Sequence, residues 1–352
     1  MRADRMNTRL IGVLALALVP AVAGAELALP PGFTAQVYVS GEGFEGAPGP
    51  GVPSVSTLAF DETGVLYIAR TGRRYFGGEA DDVWPIYRIP PGGARLTPLT
   101  ESRYLYGPPL PNAQVAAIRA GRELFLTTYD RDRKVGVLYR MLDGRAELFA
   151  GGTPAPGAPP LFTQPEGAAV DAAGNLYVAD RARDVVVKLD PSGRVLDARY
   201  LTAMRPRLVA AGEGDHVWVA SDGTAEAPWQ RGAGEILRVG PGGASSVVLR
   251  GSVAAAISVS PTGHLVVADR LNGRIFILHA AGKAVEFASF TDADAPRSLA
   301  FAPVTPETRR AGIAGDLFVV VIRRGAFQAN EVLRVSGPFD AHFRARLPGA
   351  RE

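Results

Sequence analysis

The sequence predicts an all-β chain folded as a six-bladed β-propeller of four-stranded antiparallel blades, the ring closed by an N-terminal strand. One pattern recurs: a small-residue strand, a Gly-containing turn, then a strand with a hydrophobic and aromatic centre. Its clearest copies are Leu58-Ala-Phe-Asp-Glu-Thr-Gly-Val-Leu-Tyr-Ile-Ala69, Ala168-Ala-Val-Asp-Ala-Ala-Gly-Asn-Leu-Tyr-Val-Ala-Asp180 and Ile257-Ser-Val-Ser-Pro-Thr-Gly-His-Leu-Val-Val-Ala-Asp269. Weaker copies lie at Ala117–Thr128, Ala210–Ser221 and Leu299–Val321, the last interrupted by an insertion at Pro303–Gly315. Their anchors, Leu66, Leu124, Leu176, Val217, Leu265 and Leu317, are separated by 58, 52, 41, 48 and 52 residues. A period of about 40–50 residues with four short strands per unit marks a propeller. Helical periodicity is nearly absent, and Gly (41) with Pro (28) approaches a fifth of the 352 residues, a turn-rich composition that still supports a packed core.

The elements follow in chain order. Arg2, Arg5 and Arg9 precede the apolar run Leu10–Val19, Pro20 ends it, and Ala23-Gly24-Ala25 is a small-x-small cleavage pattern. Residues 1–25 therefore read as a signal peptide, the mature chain starting at Glu26 as a single domain through residue 352. The run is too short to span a bilayer, and no later one is comparable, so no membrane span is expected in the mature chain. Phe33–Val39 is a lone strand expected to pair with the last blade and close the ring, with Phe339–Leu347 competing for that place. The third blade reads most cleanly, with strands at Gly167–Asp171, Asn175–Asp180, Val185–Leu189 and about Val195–Leu201, and a turn at Asp190-Pro-Ser-Gly193.

The segments Gln164–Asp180 and Val267–Ile275 resemble NHL repeats, which belong to the TolB-like group of six-bladed propellers that also holds gluconolactonase-like enzymes. The opening Leu29-Pro-Pro-Gly-Phe-Thr-Ala-Gln-Val-Tyr38 is similar to the start of secreted sugar dehydrogenase-type propellers. The resemblance covers about residues 30–347 and bears on the fold; a shared fold does not settle activity.

In an antiparallel blade, the start of strand a and the end of strand b share one end, and strand a is innermost. Ten residues before each anchor stand Ser56, Gln114, Glu166, Arg207, Ala255 and Arg297, which are expected to ring the channel mouth. The matching ends of strand b are Arg70, Thr128, Asp180, Ser221, Asp269 and Val321. Long b–c loops bring Arg73, Arg74, Tyr75, Phe76, Trp229, Arg231, Arg323, Arg324 and Phe327 to the same face, and the joining segments Glu101–Ala113 and Gly151–Gln164 add Tyr104, Tyr106 and Phe162. Insertions on one face of a repeat protein commonly form its binding side. Arginine forks suit carboxylate or phosphate, and aromatic faces stack on rings. The candidate ligand contacts are accordingly Glu166, Arg207, Arg297, Gln114, Arg70, Asp180, Asp269, Arg74, Tyr75, Trp229, Arg231 and Arg324.

The composition excludes much chemistry. With no cysteine, disulfides, thiolate metal sites, thiol catalysis and lipoprotein attachment are ruled out. Lys and Arg number 38 against 35 Asp and Glu, a formal +3, and loss of the signal peptide removes two units of it; no nucleic-acid partner is expected. Gly41-Glu-Gly-Phe-Glu-Gly46 has the letters of a dinucleotide loop, but the prolines after it cannot begin the required helix. The gluconolactonase resemblance implies a divalent cation held by Glu, Asp and Asn. The predicted ring offers Glu166 alone among carboxylates, beside two arginines, so Glu166 is expected in a structural ion pair between Gln114 and Arg207 and no cofactor is assigned, a divalent cation at Glu166 being the alternative. The dehydrogenase resemblance implies a His base, yet His216, His264, His279 and His342 all fall away from the predicted channel. Asp180 and Asp269 could instead tie b–c turns to backbone N–H groups. The reading is an exported propeller, periplasmic or extracellular, that binds a small molecule or protein partner through its channel-mouth face without catalysis. The alternative is a lactone hydrolase or sugar oxidoreductase acting on a small sugar-derived substrate.

Overall fold

The a–b turns show why the repeat has its residues. Asp61 ends the first strand a, and its Oδ1 accepts the N–H groups of Thr63 (2.9 Å) and Val65 (3.1 Å) while Oδ2 accepts the Tyr67 hydroxyl at 3.2 Å. Asp171 repeats this with Asn175 N–H at 2.8 Å and the Tyr177 hydroxyl at 3.0 Å. Gly64 and Gly174 sit at φ +84° and +82°, backbone that a side chain resists. An Asp at the end of strand a, a Gly three residues on and a Tyr after the anchor thus form one self-contained turn.

The computed structural model describes residues 27–44, 51–53, 55–70, 83–119, 122–130, 133–212, 214–279, 282–291, 294–323 and 329–346. Six antiparallel blades surround a central channel. Blade 1 comprises Val55–Phe60, Leu66–Arg70, Val83–Ile89 and Leu105–Pro111; blade 2 comprises Gln114–Arg119, Glu123–Asp130, Val135–Leu142 and Arg145–Gly151. Blade 3 is Pro165–Val170, Leu176–Asp180, Val185–Leu189 and Val195–Thr202, within two residues of the predicted bounds. Blade 4 is Pro206–Ala211, Val217–Ser221, Glu235–Val239 and Ser245–Arg250. Blade 5 is Ala256–Val259, Leu265–Asp269, Arg274–Leu278 and Ala284–Phe290. Every residue of strand b is buried in blades 1, 3, 4 and 5, because each blade is covered on both faces by its neighbours.

Blade 6 joins both ends of the chain. Asp294–Phe301, Leu317–Arg323 and Ala329–Ser336 are completed by the N-terminal Thr34–Gly41, which pairs antiparallel with Ala329–Ser336. Leu27–Ala28 adds to the outer strand of blade 5, so the N-terminal segment clasps two blades. The competing segment is no strand: Phe339–Arg346 is a helix, with Phe339 and Phe343 one turn apart and packed on Phe287. The Pro303–Gly315 insertion holds a short helix, Pro306–Arg310, capped by Thr305, whose hydroxyl also donates to the Glu62 carbonyl of blade 1 at 2.8 Å. Glu101–Ala113, expected as a joining loop, carries the outer strand of blade 1. Among the described residues no helix is long and apolar enough to cross a membrane.

Candidate functional site

All six residues aligned from the repeat, Ser56, Gln114, Glu166, Arg207, Ala255 and Arg297, line one cavity of about 640 Å³ at the end of the channel where strand a begins. Blades 3 and 4 approach so closely here that only glycine fits at position 167: a Cβ would lie 2.6 Å from the Arg207 carbonyl oxygen and 2.9 Å from the Leu208 Cα.

The cavity is electropositive. Arg181, Arg207, Arg270 and Arg297 line it against Glu166 and Glu226, with Asp222 behind the wall. Arg207 is 7% exposed; its Nε donates to both Asp222 oxygens at 2.9 Å and its Nη atoms to the Ala254 and Ala255 carbonyls. Arg181 adds a third bond to Asp222 at 3.1 Å and reaches the carbonyls of Ala225 (3.1 Å) and Glu226 (2.7 Å). The expected Glu166–Arg207 ion pair is therefore replaced by Arg207–Asp222: Asp222 begins the b–c loop of blade 4 and meets two guanidinium groups at once. Glu166 accepts the Gln164 side-chain amide at 2.7 Å. Burial pushes its carboxyl above the usual range, against the pull of the Arg207 and Arg181 charges.

Trp229 stands on the loop after Asp222 and lines the cavity with 42% of its surface exposed. The Arg270 guanidinium lies 4.6 Å from its ring centroid. Arg231, two residues on, turns the other way and lines a second cavity.

Several expected contacts belong elsewhere. Arg70 is buried inside blade 1, donating to the Tyr87 hydroxyl at 3.1 Å and to Glu101 at 3.3 Å, with Trp84 4.3 Å below its guanidinium. Asp180 accepts the N–H groups of Thr163 (2.6 Å), Gln164 (3.0 Å) and Arg183 (3.3 Å), so it fastens both the incoming linker and the b–c turn. Asp269 does the same for its own turn through Asn272, at 3.0 Å from N–H and 2.6 Å from the side-chain amide. Neither aspartate lines the channel cavity. Phe162 is fully buried between blades 2 and 3, and the Tyr106 hydroxyl accepts Gly144 N–H at 2.7 Å. Arg73, Arg74, Tyr75, Phe76, Arg324, Phe327 and the signal segment lie outside the described residues, as does the side chain of Arg323.

The sequence reading missed Arg181, Arg270 and Tyr129, each the fifth residue after its anchor. The repeated Ala-Asp-Arg at 179–181 and 268–270 was the available signal. Asn112, buried at φ +47° in the cavity wall, had none. The cation and quinone chemistries implied by the resemblances do not fit these side chains. Among the described residues no three His, Asp or Glu side chains converge as a metal site. No histidine lines the cavity: His216 holds the Gly214 carbonyl, His264 packs on Phe343, and His342 packs on Phe33 and Phe287.

No family model matches the chain, and no curated protein matches it in sequence. Its architecture is that of known six-bladed propellers. Virginiamycin B lyase from Staphylococcus aureus superimposes with a TM-score of 0.53 at 11% identity, over 86% of this chain and 99% of the lyase. A structural-genomics protein assigned as a gluconolactonase gives 0.56 at 12%, over 88% and 93%. The PQQ-bound aldose sugar dehydrogenase from Streptomyces coelicolor gives 0.54 at 14%, over 88% and 100%. Identities this low establish the shared fold alone.

Proposed function

We propose that the chain is an exported binding propeller whose channel mouth takes a small carboxylate-bearing molecule, without turning it over. The observation that carries this reading is the convergence of four arginines on a walled cavity whose lining holds two carboxylates. One carboxylate, Glu166, is biased by burial toward its neutral form, which further favours an anion beside it. The bidentate geometry of arginine suits a carboxylate, and the half-exposed Trp229 offers a face for a ring. Export rests on the basic, apolar and small-residue succession of residues 1–25. The test is equilibrium binding of a uronate, such as galacturonate, against neutral galactose. Preference for the uronate that collapses in Arg297→Ala supports the reading; equal binding of the two sugars refutes it.

The enclosed Glu166 also favours a second reading, hydrolysis of a small sugar-derived lactone, because a carboxyl with a raised pKa can serve as an acid or base. Turnover of simple lactones that vanishes in Glu166→Gln would put this reading first.

A further inference from the structure

The channel cavity is not isolated. A second cavity of about 760 Å³ opens beside it at the blade 4–blade 5 border, and Leu271 lines both. The wall between them consists of two short stretches whose residues face alternate sides. On the blade 4 loop, Trp229 lines the channel cavity and Arg231 the second. On the blade 5 turn, Arg270 lines the channel cavity and Asn272 the second.

This wall is built to hold its shape. Asp222 anchors the start of the loop through Arg207 and Arg181, and Arg205 holds its middle through the Ala225 carbonyl at 3.0 Å and an ion pair to Glu226 at 2.7 Å. Gln230 N–H closes on the Ala227 carbonyl at 2.9 Å, and Ala233 N–H on the Thr224 hydroxyl at 3.1 Å. Asp269 fixes the opposing turn through Asn272. A ligand crossing such a wall meets contacts that are already ordered, which removes much of the cost of binding.

The second cavity is lined by two arginines and two carboxylates; Arg274 pairs with Glu286 at 3.5 Å and with Asp269 at 4.0 Å, which leaves Arg231 as the guanidinium open to a ligand anion. Arg231 is exposed and makes no ion pair among the described residues. Gln230 and Asn272 supply amides, and the Ser252 hydroxyl, which has no hydrogen-bond partner among the described residues, lies in the same lining. Amide side chains pair with vicinal hydroxyls, guanidinium groups with carboxylates, and a half-exposed indole at the crest with the face of a ring.

We infer that the two cavities form one cleft for an acidic oligosaccharide, a chain of uronate units. One unit sits in the channel mouth, the chain passes over Trp229 and Leu271, and a further unit reaches Arg231. The inference rests on the channel-mouth reading above and extends it from a single sugar acid to a linear chain. A sugar chain is favoured over an acidic peptide because rings and hydroxyls use Trp229, Gln230 and Asn272, which a carboxylate alone does not.

The test is calorimetric binding of galacturonate, tetragalacturonate, maltotetraose and tetraglutamate to the full mature chain and to Arg231→Glu. The tetrauronate is expected to bind at least tenfold tighter than the monomer. In Arg231→Glu that gain disappears, while monomer affinity stays within twofold. Equal affinity for monomer and tetramer, or a gain that survives Arg231→Glu, overturns the cleft and leaves the channel-mouth reading standing. Tetraglutamate binding as tightly as the tetrauronate overturns the choice of sugar, and maltotetraose binding as tightly overturns the role of charge. If none of the four binds, both the cleft and the channel-mouth reading fall.

Discussion

Arg207 donates its Nε to both carboxylate oxygens of Asp222 at 2.9 Å, joining the innermost strand of blade 4 to the first residue of the loop that carries Trp229. Both partners are buried, Asp222 almost completely and Arg207 with only its edge on the cavity, so neither charge is well solvated without the other. Asp222→Ala leaves a buried guanidinium unpaired, and the expected loss is about 3–5 kcal/mol, read by urea denaturation. A loss below about 1 kcal/mol would show that water or another group solvates Arg207.

Trp229 is expected to behave differently. It is half exposed, with Arg270 stacked beside it, so Trp229→Ala should shift stability by no more than about 1 kcal/mol while weakening uronate binding at least tenfold. The contrary outcome, a loss of several kcal/mol with binding retained, would mean that the indole is a structural plug.

Gly167 sets the approach of blades 3 and 4 at the channel. A methyl there would stand 2.6 Å from the Arg207 carbonyl oxygen, and backbone cannot yield as a flexible side chain can. Gly167→Ala should cost about 1–3 kcal/mol in thermal or chemical unfolding. Unchanged stability would place the two strands further apart than described.

Glu166 gives a pH signature. Burial raises its carboxyl above the ordinary value of 4.5, so the folded chain holds this proton at pH values where the unfolded chain has released it. Its contribution is therefore fully present below the unfolded pKa and is lost as pH rises through the folded one. Glu166→Gln should remove that loss: the variant's stability relative to the parent is expected to grow from about pH 4.5 upward and level off above the folded pKa. Asp180, also raised by burial, acts in the same direction but remains in both proteins and cancels in the difference. A difference that is flat with pH would show an ordinary carboxyl at position 166.

How much of this was legible in the sequence depends on whether a property repeats. The blades and the channel ring follow from the anchors, because a short a–b turn recurs and fixes where strand a starts relative to strand b, as Asp–Gly–Tyr in blades 1 and 3 and with Ser260 and Gly263 in blade 5. The rim was misjudged by one residue. Asp180 and Asp269 were aligned at the ends of strand b, yet side chains alternate along a strand, and it is the next residues, Arg181 and Arg270, that line the cavity. Within the blade 4 loop no repeat exists to set direction, so Trp229 and Arg231 were assigned together although they face different cavities. The Asp222 pairing was hidden for a related reason: an ion pair between a strand and a loop 15 residues on leaves no periodic trace.

The most direct test of the central claim is a calorimetric titration of galacturonate into the purified protein and into Arg297→Ala, with galactose as the neutral control. The account predicts uronate binding at the channel mouth, an affinity at least tenfold weaker in the variant, and no comparable binding of galactose. Uronate binding of equal strength in both proteins, or no discrimination between uronate and galactose, would contradict it.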